Sequence, residues 1–281
     1  MPTMDSQRGD AAVSLAFVSV DGGLESDMAC ILILGGTTEA RRLGERLAKR
    51  GDLDVTLSLA GRTAAPVPHA VPLRIGGFGG TAGLADYLAT EHIDALIDAT
   101  HPYASVISAS ARAAARQTAV PFVVLHRPPW TALPGDRWTE VTDIEAAVRV
   151  IGLTQRSVFV ALGRNDLEPF AAAPQHRYLF RSVDPVDPPL KLPHATYVTA
   201  RGPFSEADDS TLMTAHRIEV VIAKNSGGDA AYGKIAAARA LGIGVILLHR
   251  PPATEGPTVE TVEDAVAWLD HTLTSAAVRG V

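Results

Sequence analysis

The chain has a single cysteine, Cys30, among 281 residues, which excludes a disulfide-stapled scaffold and any metal site built from several thiolates. One thiol without an export signal fits a reducing, cytoplasmic setting. No apolar run approaches the roughly 18–20 residues of a membrane span, so no membrane partner is expected. Basic runs are also missing, which argues against nucleic acid as a partner. The formal net charge is −6, but Asp5, Asp10, Asp21, Glu25 and Asp27 stand against Arg8 within residues 1–27, leaving the rest near −2. Those first 27 residues read as a disordered extension apart from the fold. Ala11–Val20 is apolar but lacks the positive flank of a signal peptide, and Met28, directly before a strong strand pattern, is an alternative start.

From residue 28 onward, short β-rich apolar runs alternate with amphipathic helical patterns. Strands are predicted over Cys30–Leu34, Val55–Leu59, Pro72–Ile75, Ala95–Asp98 and Phe122–Leu125. A second series covers Ser157–Leu162, Arg177–Phe180, Thr196–Thr199, Val220–Ala223 and Val245–Leu248, with helices near Glu206–Ala215, Ala230–Leu241 and Val262–Leu273. Ala40, Leu43, Gly44 and Leu47 repeat at helical spacing between the first two strands. Strands that are apolar throughout and alternate with helices indicate parallel βαβ units.

An internal repeat sharpens this. A shift of 123 positions aligns AAARQTAVPFVVLHRPP (113–129) with AAARALGIGVILLHRPP (236–252), and a shift of 125 aligns Ile93–Thr100 with Ile218–Asn225. The fold class expected is therefore α/β: two related, doubly wound, Rossmann-like domains with parallel sheets and a cleft between them. The boundaries read as 28–130 for the first domain, 131–156 for a linker and helix, and 157–281 for the second. The strands at 122–125 and 245–248 are so alike that either could complete either sheet, so an exchange between the domains is an open expectation.

The chemistry-bearing residues fall at predicted strand ends, where an open α/β sheet binds its ligands. Gly35, Gly36, Thr37, Thr38 and Glu39 form a glycine turn between strand and helix, suited to a phosphate at a helix start. Glu39 would cap that helix or face a ribose. After the second strand, Leu57–Val71 contains no acid for a ribose diol but offers Ser58, Arg62 and Thr63, which suit a 2′-phosphate and favour NADPH over NADH. Gly77, Phe78 and Gly79 lie in a glycine-rich loop fit for close approach to a flat ligand. Asp98-Ala99-Thr100-His101-Pro102-Tyr103-Ala104 follows the fourth strand. His101 and Tyr103 are its candidate catalytic residues, Thr100 a substrate contact, and Asp98 reads equally as an N-cap. In the second half Arg164, Arg181, Arg201, Lys224-Asn225-Ser226 and Lys234 gather bases and amides at or near strand ends, a pattern for a ligand with several carboxylates.

These segments resemble the precorrin-6A reductase family of cobalamin biosynthesis over about residues 31–273. The likeness rests on LGGTTEA (34–40), AGRT (60–63), GGFGG (76–80), DATHPYA (98–104), RGPF (201–204), KNSGG (224–228) and the two HRPP segments. The resemblance implies an oxidoreductase that uses NADPH to reduce one CH–CH double bond of precorrin-6A, a metal-free polycarboxylate tetrapyrrole, to precorrin-6B. It further implies that Arg164, Arg201, Lys224 and Lys234 hold substrate carboxylates, that no metal is bound by the protein, and that the product passes to the next pathway enzyme. His101, Tyr103 or solvent water would stand at the proton-transfer step. Alternatives are the cobalt-containing substrate of the anaerobic branch, a non-catalytic nucleotide or tetrapyrrole sensor, and a nucleotide-dependent transferase.

Overall fold

A computed structural model describes residues 28–61, 67–252 and 256–279. The first half builds β1 (Ala29–Leu34), α1 (Thr38–Leu47), β2 (Leu53–Leu59), β3 (Leu73–Ile75), α2 (Gly80–Thr90), β4 (Ala95–Asp98), α3 (Ser105–Thr118) and β5 (Phe122–Leu125). Residues β6 (Trp138–Val141) and α4 (Ile144–Ile151) follow. The second half runs through β7 (Ser157–Ala161), β8 (Arg177–Ser182), β9 (Ala195–Thr199), α5 (Glu206–Ala215), β10 (Val220–Lys224), α6 (Gly233–Leu241) and β11 (Gly244–Leu248). It closes with β12 (Thr258–Val259) and α7 (Val262–Arg279).

Local chemistry explains the elements. β1 and β4 are buried along most of their length because helices cover both faces of the sheet, so their sequences are apolar without alternation. In α1, Ala40, Leu43, Gly44 and Leu47 form the buried stripe, and Thr37 caps the start by accepting a hydrogen bond from the Ala40 amide at 3.1 Å.

All strand pairings among the described residues are parallel, in two six-stranded sheets of the same winding. The orders are β12-β5-β4-β1-β2-β3 and β6-β11-β10-β7-β8-β9. Each is the doubly wound order 3-2-1-4-5-6, with the sixth strand supplied by the other half of the chain. The exchange considered from the sequence therefore does not occur at 122–125 and 245–248, since β5 and β11 each lie in their own half's sheet.

What crosses is the element after each HRPP segment. β6 pairs with β11, Trp138 to Val245 through Val141 to Leu248, and α4 buries Ala147 and Ile151 in the core of the second sheet. Conversely β12 pairs with β5, and α7 places Ala265 and Leu269 in the first core beside Ile31, Leu43 and Val123. Residues 138–151 are thus part of the second domain rather than a linker, and 258–279 belong to the first. Two consecutive prolines stand where the chain leaves each sheet. They donate no backbone hydrogen bond and favour an extended chain, which is compatible with the crossing.

Leu269 is fully buried although some 145 residues separate it in sequence from β5. Leu269→Ala should lower the unfolding free energy by about 2–5 kcal/mol. Denaturant titration with a first-domain probe, such as a fluorophore on Cys30, should register the loss.

Candidate functional site

The carboxyl ends of the two sheets meet at a seam laced by hydrogen bonds. Arg127 donates from Nε to the carbonyls of Ser226 and Gly227 at 2.8 and 3.1 Å. Arg250, its repeat counterpart, donates from Nε to the Asn225 carbonyl at 2.7 Å and from its terminal nitrogens to the carbonyls of Arg127, Ser226 and Pro128. Both arginines thus grip the 224–228 loop, and Arg250 also holds the other HRPP segment.

The glycine turn has the shape the sequence suggested. A Cβ on Gly35 would stand 2.6 Å from Leu57 Cδ1, so close packing of β1 on β2 requires glycine there. Gly36 adopts a φ of +115° with open space beside it, and the amides that open α1 lie next to it. The hydroxyl of Thr37 is engaged internally: it accepts from the Ala40 amide and donates to the Ala99 carbonyl at 2.7 Å. Thr37 rather than Glu39 caps the helix; Glu39 forms a short ion pair with Arg127 and is mostly buried. That pairing neutralises an acid that would otherwise repel phosphate at the helix start. Thr38, the first residue of α1, is also partly buried.

Arg62 and Thr63 lie outside the described residues. Among the described residues, Ser58 is buried, and Arg74, which sequence reasoning passed over, approaches its hydroxyl at 3.4 Å. Arg74 also donates to the carbonyls of Gly76 and Gly77 at 2.7 and 3.0 Å, with its guanidinium 3.7 Å over the Phe78 ring. Phe78 packs edge-on against Tyr87 and buttresses the core under α2, so its ring is a support for the loop; Gly77 and Gly79 remain exposed on it. The signal for Arg74 was its register opposite Ser58 on adjacent strands, which only the pairing of β2 with β3 reveals.

The two catalytic candidates lie in the loop between β4 and α3, and both are engaged within the protein. The Tyr103 hydroxyl donates to the Leu248 carbonyl and accepts from the Asn225 amide at 2.8 Å. Burial pushes it up to about 12, and it acts as a strut between the halves. The Tyr103 amide donates to His101 Nδ1 at 3.3 Å, which places the ring proton on Nε2, where it is donated to Ser226 Oγ at 3.1 Å. Burial, reinforced by Arg127, Lys224, Arg250 and Lys234, drives His101 down to about 3, so the imidazole is neutral at pH 7. Asp98 is not an N-cap: Ala104 occupies that place before α3. Thr100 holds Ser108 Oγ at 3.3 Å.

Among the substrate candidates, Asn225 is engaged at both ends of its amide by the Trp130 backbone, at 2.8 and 3.0 Å. Lys224 pairs with Asp166 at 2.6 Å. Lys234 is buried, donates to the Ala231 carbonyl, and lies 5.0 Å over Trp130. Burial, with Arg181 adding and Asp209 opposing, lowers it to about 7. Arg181 forms a buried pair with Asp209 between the rings of Phe159 and Phe204, a core contact rather than a ligand position. Arg164, opening a short 3-10 helix after β7, and Arg201, after β9, are exposed. Ser226 lies at the seam under His101. Among the described residues no group of three His, Cys, Asp or Glu side chains forms a metal site, and no helix is long and apolar enough to cross a membrane.

Two doubly wound parallel sheets joined at their carboxyl ends define a two-domain, Rossmann-like α/β protein. Residues 30–270 match the family described as precorrin-6x reductase CbiJ/CobK. The chain is 52% identical over 246 residues to a precorrin-6A reductase from a Sinorhizobium species, covering 88% of this chain and 94% of the relative. It is 49% identical over 255 residues to a precorrin-6A reductase from Rhodobacter capsulatus, covering 90% and 100%. A solved structure described as CobK precorrin-6A reductase matches with a TM-score of 0.84 at 49% identity, over 87% of this chain and 97% of that one. The chain belongs to this family, as the sequence motifs implied.

The neutral His101 has a thermodynamic consequence. In the unfolded chain a histidine titrates near 6.5, whereas in the fold it titrates near 3. Between those values the unfolded state binds the extra proton, so stability falls as pH drops from about 6.5 toward 3. His101→Gln should flatten this acid limb, measured as a smaller loss of denaturation midpoint between pH 7 and pH 4.5.

Proposed function

We propose that the chain is an NADPH-dependent precorrin-6A reductase of cobalamin biosynthesis, reducing one ring double bond of a metal-free polycarboxylate tetrapyrrole to give precorrin-6B. Membership of the reductase family over nearly the whole described chain carries this reading. Relatives described as precorrin-6A reductases are 39–52% identical, against 25–29% for those described as cobalt-precorrin-6A reductases, which supports the metal-free substrate over the cobalt form.

The described residues fit the cofactor. Gly35 and Gly36 open a phosphate cradle at the start of α1, and Ser58 and Arg74 provide a hydroxyl and a guanidinium at the ends of β2 and β3. Arg62 and Thr63 would add to the 2′-phosphate contacts. When bound, NADPH supplies the hydride; the protein supplies placement and charge. Arg164, Arg201 and Lys224 would anchor ring carboxylates from the facing sheet, with Lys224 shared between Asp166 and substrate. Neither Tyr103 nor neutral His101 presents an acidic proton, so the proton reaching the ring comes from solvent water, and His101 serves to hold the seam through Ser226.

The direct test is anaerobic mixing with precorrin-6A and NADPH, following cofactor and macrocycle absorbance together. Equimolar loss of NADPH with a shifted macrocycle spectrum is expected; macrocycle binding with NADPH intact would favour a sensor. Arg62→Ala should raise KM for NADPH about tenfold or more while leaving NADH nearly unchanged, as loss of a charge-assisted phosphate contact requires. Equal losses with both cofactors would remove Arg62 from that role.

A further inference from the structure

The described half of the cofactor fit concerns one flank of the glycine turn. On the other flank, between β4, β5 and the start of α3, lies a small cavity lined by Asp98, Thr100, Ser105, Ser108, His126 and Pro252. Asp98 is 1% exposed. Its Oδ1 accepts from the Thr100 amide at 3.0 Å, but its Oδ2, although buried, has no hydrogen-bond partner among the described residues. A buried carboxylate oxygen without a donor is costly to retain, so Oδ2 is an acceptor open to a donor that no described residue supplies.

The chemistry of the cavity restricts that ligand. A carboxylate repels phosphates and carboxylates, so neither the pyrophosphate nor a ring carboxylate belongs here. The opposite wall carries His126, which burial and Arg250 hold below its ordinary value while Asp98 works against them. The site asks for a neutral group that donates through nitrogen to Asp98 and accepts from a hydroxyl or an amide at the start of α3, whose cap residue supplies no side-chain bond. A primary carboxamide has that pair of functions.

Topology says which carboxamide. A dinucleotide straddling the turn after β1 places one nucleoside toward β2 and β3 and the other toward β4 and β5. The first flank has the hydroxyl and guanidinium suited to a phosphorylated ribose. The second has Asp98, directly beside Leu34 at the crevice where the strand order reverses.

We propose that Asp98 is a positioning residue that holds the nicotinamide carboxamide, its Oδ2 accepting the amide N–H in the cavity at the start of α3. This rests on the reading that the first sheet binds NADPH. It sets the rotation of the nicotinamide ring, and hence which face is turned toward the second sheet.

Calorimetric binding of three probes tests it: NADP⁺, its 3-acetylpyridine analogue, in which a methyl ketone replaces the amide, and 2′,5′-ADP, which lacks the ring. The unaltered protein should bind NADP⁺ about tenfold more tightly than the analogue, the size of a lost hydrogen bond to a charged acceptor. Asp98→Asn keeps the Thr100 contact but presents N–H in place of Oδ2; it should erase that difference and leave 2′,5′-ADP unchanged. Equal binding of NADP⁺ and the analogue by the unaltered protein, or an unaltered preference in Asp98→Asn, overturns the proposal. Should Asp98→Asn not fold, Ser108→Val, which fills the cavity from α3, must weaken NADP⁺ while sparing 2′,5′-ADP, and failure to do so overturns it equally. Failure of the unaltered protein to bind either NADP⁺ or 2′,5′-ADP overturns the cofactor reading itself.

Discussion

The grip of Arg127 and Arg250 on the 224–228 loop is the constraint on which the rest of the molecule depends. Each arginine reaches backbone carbonyls, which cannot be mutated away, and Arg250 joins the carbonyls of Arg127 and Pro128 to those of Asn225 and Ser226. Glu39 completes the set by pairing with Arg127, so the start of α1 is fixed against the opposite sheet. Gly227 and Gly228 have to be glycine in this arrangement. Both lie at a φ of +66°, and a Cβ would come within 2.1 Å of the Pro128 carbonyl or 2.7 Å of Arg127. The seam is therefore made of loops that could serve a ligand, held rigid by contacts that are not ligand contacts.

The crossing of β6 and β12 adds a second tie of a different kind. Each sheet is completed by a strand and a helix from the opposite half, so neither core closes until both halves are present. Opening the seam by a hinge would have to work against two exchanged elements as well as the arginine contacts. Alignment of groups across the seam is thereby fixed by the fold, in keeping with a reaction whose protein contribution is placement.

Much of this was legible in the sequence because the decisive strands are buried on both faces. Ala95–Asp98 and Phe122–Leu125 are bounded in the structure as their apolar runs predict, and the repeat implied two sheets of the same winding. The exchanged strands were not legible. Trp138–Val141 is polar and largely exposed, Thr258–Val259 is two residues long, and both owe their existence to a neighbour far away in sequence. Similarly, residue type placed Tyr103, Asn225 and Lys234 at strand ends or helix starts, yet not the backbone groups that engage them. Asn225 meets a Trp130 that is distant in sequence, and Tyr103 meets Leu248. Hydroxyls and amides that suit a ligand suit a backbone carbonyl equally well, and only the fold decides between them.

The repeat also shows how two similar halves acquired unlike tasks. His101 and Ser226 occupy equivalent positions at the shift of 125, and they hydrogen-bond to each other, so an approximate twofold relation passes through the seam. One step back from it the halves diverge in charge. Asp98 corresponds to Ala223, and Lys224 corresponds to Ala99. At these equivalent positions the acid lies in the first half and the lysine, itself paired with Asp166, in the second. Because these positions lie at the ends of equivalent strands, β4 and β10, beside the same contact, a change of residue type on each side sets a carboxylate on one wall of the seam and a lysine on the other. In a duplicated scaffold that difference gives the two sheet ends unlike chemistry, an unpartnered carboxylate oxygen at the first and a lysine at the second.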